Sequence, residues 1–139
     1  MTVLTRTLGV NTRGHTDIVN ITSELIEIVT HGELVTGILT VFVPGSTASV
    51  STIEFEPGAT RDIRRVLDRL APEGGEYEHH ATWGDDNGSA HVRACLLGPS
   101  VSIPIVDGAL TLGTWQQVVL LDFDTQPRAR ELIVQVIGE

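Results

Sequence analysis

From residue 91 onward, turn signals at Gly98-Pro99, Asp107-Gly108, Gly113 and Gln126-Pro127 cut the chain into short segments, and this punctuation constrains the fold more than any other feature. The segments between them are rich in β-branched and apolar side chains. They read as strands over residues 91–97, 101–106, 109–112, 115–123 and 129–137. Parallel neighbours need a crossover of a dozen or more residues, whereas turns this short join antiparallel ones. Asp107-Gly108 is the strongest hairpin signal, because both residues tolerate the positive φ of a tight turn.

The first half supplies two helices and more strand. Residues 2–10 alternate loosely and read as a half-buried strand bounded by the turn-prone segment 11–14. Thr22 is the expected cap of a helix over 22–31 carrying Leu25, Ile26, Ile28 and Val29, with Gly32 stopping it in a left-handed turn. Residues 37–43 read as a buried strand ending at Pro44-Gly45, and residues 48–55 alternate beside it. Thr60 opens the clearest helix: Ile63, Val66, Leu67 and Leu70 recur at three and four residues, and Pro72 ends the run. Residues 71–90 show little periodicity and read as a long polar loop, a kind of segment that is usually functional in a small domain. The expected class is α+β: a single domain over residues 1–139, a largely antiparallel sheet or sandwich with two helices.

Charge narrows the partners. A net charge of −9 disfavours phosphate backbones and anionic lipid, which need a basic patch, so nucleic acid and membrane are excluded as expected partners. The lone Cys95 has no partner for an internal disulfide, and the first eleven residues lack the basic-then-apolar order of a secretory leader; a reducing cytoplasm is the expected home. Cys95 itself, between Ala94 and Leu96, reads as a small buried thiol.

Chemistry-bearing side chains concentrate between Tyr77 and His91. His79, Asp86, Asn87 and His91 combine imidazole, carboxylate and amide groups suited to proton transfer or cation ligation, although their spacing matches no zinc-finger or His-Glu-x-x-His pattern. The plain alternative is that these histidines satisfy buried backbone groups. His15, His31 and His80 read as surface or capping residues. Gly45-Ser46-Thr47 at a strand end can offer amides and hydroxyls to an anion, or can be an ordinary turn, and the same holds for Gly98-Pro99-Ser100. Glu54 and Glu56, two residues apart on a strand, are either paired carboxylates or solvated charges. Thr114-Trp115-Gln116 can stack on a ring and hydrogen-bond it, or Trp115 can serve the core or an interface.

The run from Ser100 to Gln117, SVSIPIVDGALTLGTWQQ, resembles the most specific segment of the YjbQ-like proteins. Tyr77-x-His79, Asp86-Asn87-Gly88 with His91 following, Leu96-Leu97-Gly98, Asp122 and Pro127-Arg128 extend the resemblance over nearly the whole chain. It implies a compact α+β homotrimer with pockets at or near subunit boundaries and, in some members, a weak thiamine-phosphate synthase activity. That reaction joins a pyrimidine diphosphate to a thiazole phosphate and releases pyrophosphate. The resemblance therefore implies a phosphorylated small-molecule substrate and a divalent cation, zinc or magnesium, with His79 and His91 as metal ligands. It implies catalytic roles for His79, His91, Asp86, Asn87 and Glu54, and substrate contacts from Ser46, Thr47, Ser100, Thr114, Trp115 and Gln116. Many relatives carry His-Thr-Thr-Ala where this chain has Gly45-Ser46-Thr47-Ala48, so one of three histidines that could surround a metal is replaced by glycine.

Overall fold

The computed structural model describes residues 1–139. Eight strands and four helices follow the order β1 (Thr2–Thr12), β2 (Asp17–Asn20), α1 (Thr22–Gly32), β3 (Gly37–Phe42), β4 (Ala48–Glu54), α2 (Pro57–Leu70), α3 (Glu78–Trp83), α4 (Gly88–Leu97), β5 (Ser100–Val106), β6 (Ala109–Leu110), β7 (Gln116–Asp122) and β8 (Arg128–Gly138). They build a five-stranded sheet, β1-β8-β3-β5-β6, and a three-stranded sheet, β2-β7-β4. Every pairing is antiparallel, although among the paired strands only β5 and β6 are consecutive and joined by a tight turn.

The two sheets stack face to face. Leu39, Val41, Ile103, Ile105, Leu132, Val134 and Val136 from the larger sheet meet Val50, Val118 and Leu120 from the smaller, and α1 closes the layer with Leu25 and Val29. Successive strand side chains point to opposite faces, so β7 presents Val119 and Leu121 on its other side. There they join Ile18, Leu67, Ala90, Ala94 and Phe123 in a second core roofed by α2 and α4. The outer face of the five-stranded sheet has no such roof: Val3, Ile38, Phe42, Val106 and Ile137 are exposed on it.

Several expectations are corrected. Residues 91–97 are not a strand but most of α4. A helix places Ala90, Ala94 and Leu97 on one face against the small sheet, and buries Arg93 with hydrogen bonds to the Ala71 carbonyl, Thr16 Oγ1 and Asp68. Two alanines give a weak periodic signal and a buried arginine reads as polar, so the segment looked like β. The expected loop over 71–90 contains α3 and the start of α4. Helix α2 starts at Pro57, not Thr60, because the Glu56 carboxylate caps the Gly58 and Ala59 N–H groups and Pro57 fits the first turn. In α1 the cap is supplied from Asn20, whose Oδ1 accepts from the Thr22 N–H and hydroxyl, and Glu33 rather than Gly32 takes the left-handed turn. Strand β3 is buried on one face only, with Ile38 and Phe42 outside, and β2 was not foreseen.

Candidate functional site

Helices α3 and α4 bring His79 and His91 together, with ring centroids 4.5 Å apart and planes at 72°. Close packing locks this pairing. Gly88 opens α4 directly under Tyr77, and a Cβ there would lie 2.5 Å from the Tyr77 Cβ, so only glycine lets the α3 entry sit this near. The Tyr77 hydroxyl donates to the Pro72 carbonyl at 2.8 Å and ties the same entry to the end of α2.

His91 Nδ1 lies 3.0 Å from the Ser46 carbonyl oxygen. A carbonyl only accepts, so Nδ1 carries the proton and the neutral ring keeps its Nε2 lone pair free. His79 Nε2 is buried and has no hydrogen-bond partner; Asp85 Oδ1 lies 3.1 Å away but outside hydrogen-bonding geometry. Asn87 Oδ1, just before α4, is the other buried side-chain polar atom without a partner. Buried polar atoms are rarely left unsatisfied, and these two, on the segment that carries the imidazole pair, are the exceptions in this chain.

His91 also lines a concavity of about 250 Å³ with Gly45, Ser46, Ala48, Ala94, Cys95 and Pro99. Cys95, expected to be buried, is exposed on this rim, because α4 turns Ala94 and not its neighbour toward the sheet. Asp86 is exposed and makes no ion pair; its neighbour Asp85 is the carboxylate beside His79. Nothing in the sequence distinguished the two, since the choice depends on how the α3–α4 turn folds.

The strand-end turn rests on a polar network that sequence reasoning missed. Arg130 forks onto Asp122 through Nε and Nη2 at 2.8 and 3.0 Å, and Nη2 also donates to Thr47 Oγ1 at 2.7 Å. The Thr47 hydroxyl in turn donates to Asp124 Oδ2 at 2.9 Å, so this buried side chain is occupied internally and does not face the concavity. Thr12 donates to Asp122 and Arg128 pairs with Asp124. Burial pushes the Asp122 carboxyl up, but hydrogen bonds from Arg130, Thr12 and the Asp124 N–H, with the Arg130 charge, hold it below the ordinary range. Asp124 is lowered likewise: burial is outweighed by Thr47 and Arg128.

Other expected site residues lie elsewhere. Ser100 starts β5 opposite Phe42, exposed beside Pro99. Glu54 pairs in register with Gln116, at the far end of β4 from Ala48. Six residues of extended strand separate those ends by about 20 Å. Glu54 therefore lies far from the histidines within one chain and instead lines a concavity of about 400 Å³ with Asn20, Phe55, Glu56, Thr114, Trp115 and Gln117. Glu56 is not its catalytic twin, since its carboxylate is spent capping α2.

As to a divalent cation, the two imidazoles, 4.5 Å apart, form a partial nitrogen donor pair. No group of three or more His, Cys, Asp or Glu converges to complete it within the chain.

The chain as a whole is similar to known proteins. The family model described as "UPF0047 protein YjbQ-like" matches residues 6–139. The chain belongs to the YjbQ-like family. It is 40% identical to a UPF0047 protein of Synechocystis over 86% of this chain and 82% of that one. It is 36% identical to a UPF0047 protein of Archaeoglobus fulgidus over 94% and 98%. Among solved structures, a YbjQ-like protein of unknown function from Sulfolobus solfataricus superimposes with a TM-score of 0.93 at 30% identity, covering 99% of each chain. A YjbQ/UPF0047 protein from Clostridium acetobutylicum gives 0.87 at 34% identity, covering 95% of this YjbQ-like chain and 99% of that one. No helix of this domain is long and apolar enough to cross a membrane.

Proposed function

We propose that this YjbQ-like domain is a cytoplasmic small-molecule enzyme acting on a phosphorylated heterocyclic substrate, with thiamine-phosphate synthase chemistry as the specific candidate. The observation that carries the reading is the T-shaped His79–His91 pair, in which His79 Nε2 is buried and unsatisfied, as is Asn87 Oδ1 in the same segment. His91, its proton fixed on Nδ1 by Ser46, presents a lone pair at Nε2 able to take a proton or a cation. The Asp85 carboxylate, 3.1 Å from His79 Nε2, supplies the negative charge next to the pair. If a divalent zinc or magnesium ion binds, His79 and His91 are its nitrogen ligands; such an ion supplies charge for the leaving pyrophosphate.

The distance from this cluster to Glu54, Thr114, Trp115 and Gln116 supports a site completed between copies. We place the contact at the open outer face of the five-stranded sheet, where Ile38, Phe42, Val106 and Ile137 are exposed in one region, more than isolated surface residues would give. A homotrimer would let the aromatic end of one copy, Trp115 with Glu54, serve the ring of a substrate held at the histidines of the next.

The test is turnover. Purified protein mixed with a pyrimidine diphosphate and a thiazole phosphate, with magnesium, should release pyrophosphate, and His91→Ala should abolish this while leaving the thermal midpoint near wild type. Saturable substrate binding without product would instead support capture without catalysis, a reading favoured by the lack of a third His, Cys, Asp or Glu converging on the two imidazoles. Light scattering that reports a monomer would remove the shared-site part of the proposal.

A further inference from the structure

Arg130 has a part of its guanidinium that its network with Asp122 and Thr47 does not use. The group carries five N–H donors. Three are accounted for: Nε–H on Asp122, and both Nη2 hydrogens on Asp122 and Thr47. Nη1 makes no hydrogen bond within the chain, although the side chain is only 11% exposed. It is held in place by the bidentate fork and is therefore oriented before any ligand arrives.

What Nη1 faces is Gly45. A Cβ at that position would stand 3.0 Å from Nη1, and the glycine φ of 138° lies where side chains are disfavoured. Any larger residue here would cover the guanidinium edge; glycine leaves it open. Gly45 and Ser46 are both exposed and both line the concavity of His91. Their backbone N–H groups donate to nothing in the chain. The turn is anchored on both sides, by His91 on the Ser46 carbonyl and by Arg130 and Asp124 on Thr47.

We propose that Arg130 Nη1 and the backbone N–H groups of Gly45 and Ser46 form a subsite for the phosphate group of the ligand, made accessible by glycine at position 45. The inference rests on the reading that the histidine cavity takes a phosphorylated small molecule, and it names the atoms that hold the phosphate. An arginine edge beside successive amides matches the several acceptor oxygens of a phosphate group. Asp122, Asp124, Arg128 and Arg130 leave the network formally neutral, so directed hydrogen bonds rather than net charge do the recognition.

The test is a titration of the full-length protein with inorganic phosphate, pyrophosphate and phenyl phosphate, followed by proton–nitrogen NMR of backbone amides and arginine side chains. The expected result is saturable shifts at Gly45, Ser46 and the Arg130 guanidinium, with binding about tenfold weaker in Arg130→Lys, the loss of one charge-assisted hydrogen bond. Tighter binding of phenyl phosphate than of inorganic phosphate would identify an ester as the ligand, and the reverse order the free ion; either supports the subsite. Because Arg130→Lys disturbs a buried ion pair, a variant that fails to fold leaves the wild-type shift map as the deciding measurement. Saturable shifts elsewhere, or none at these three groups, overturn the proposal. His79→Ala separates it from the catalytic reading: unchanged phosphate shifts with turnover lost uphold both, whereas unchanged shifts and unchanged turnover refute only the histidine chemistry.

Discussion

Replacing Asp122 by alanine should be among the most damaging single changes in this chain. The carboxylate is fully buried and receives hydrogen bonds from Arg130, Thr12 and the Asp124 N–H. Its removal strips a guanidinium with 11% exposure of its bidentate partner and leaves only the Asp124 carboxylate, at 3.8 Å and shared with Arg128, as counter-charge. Breaking a buried pair from one side costs about 3–5 kcal/mol. Whole-domain stability is of order 5–15 kcal/mol, so the loss is a large share of the total. With a urea slope of about 2 kcal/mol/M, the unfolding midpoint should fall by roughly 1.5–2.5 M. Equilibrium urea unfolding followed by circular dichroism measures this directly. The double variant Asp122→Leu/Arg130→Met removes both charges and should recover much of the loss, since apolar replacement of a buried pair is often near neutral. A single-variant cost under about 1 kcal/mol, the range of an exposed ion pair, would refute the account of this network. So would a double variant no better than the single one.

The lowered carboxyls of Asp122 and Asp124 set the acid limb of stability. A folded-state value below the unfolded one gives stabilisation that is complete above the unfolded pKa, about 3.9, and is lost as pH falls through the folded values; urea midpoints should hold level down to about pH 5 and drop below about pH 4. Leu120→Ala, in the centre of the sandwich core, should cost about 2–5 kcal/mol by the same assay. Trp115→Ala, at 73% exposure, should change stability by less than about 0.5 kcal/mol while weakening turnover, and an unfolded variant would show that Trp115 belongs to the core. Cys95 should react with a thiol reagent in native protein nearly as fast as in urea; strong protection would contradict its exposed place on α4.

The fold class followed from local chemistry. Asp107-Gly108 makes a tight turn, and the apolar segments it joins can pair only antiparallel, so β5 and β6 needed no tertiary information. The apolar stripe of α2 was equally legible, because its period is carried by large side chains. The family, too, could be read from the run Ser100 to Gln117, which spans β5, β6 and the entry to β7. Helix α4 could not: its buried face is Ala90, Ala94 and an arginine, and only the small sheet beneath them makes that face an inside.

The site divides in the same way. Sequence alone determined which side chains have useful chemistry, His79, Asn87 and His91 in one segment and Thr114 to Gln116 in another, because chemistry belongs to the residue. Tertiary structure decided which of them meet. The T-shaped imidazole pair depends on Gly88 admitting Tyr77, and the separation of Glu54 from the histidines on the length of β4. The approach of Arg130 to the Gly45 turn depends on how β8 folds back beside it. Those distances arise from strands and helices packing across many residues of chain, and no local pattern of side chains encodes them.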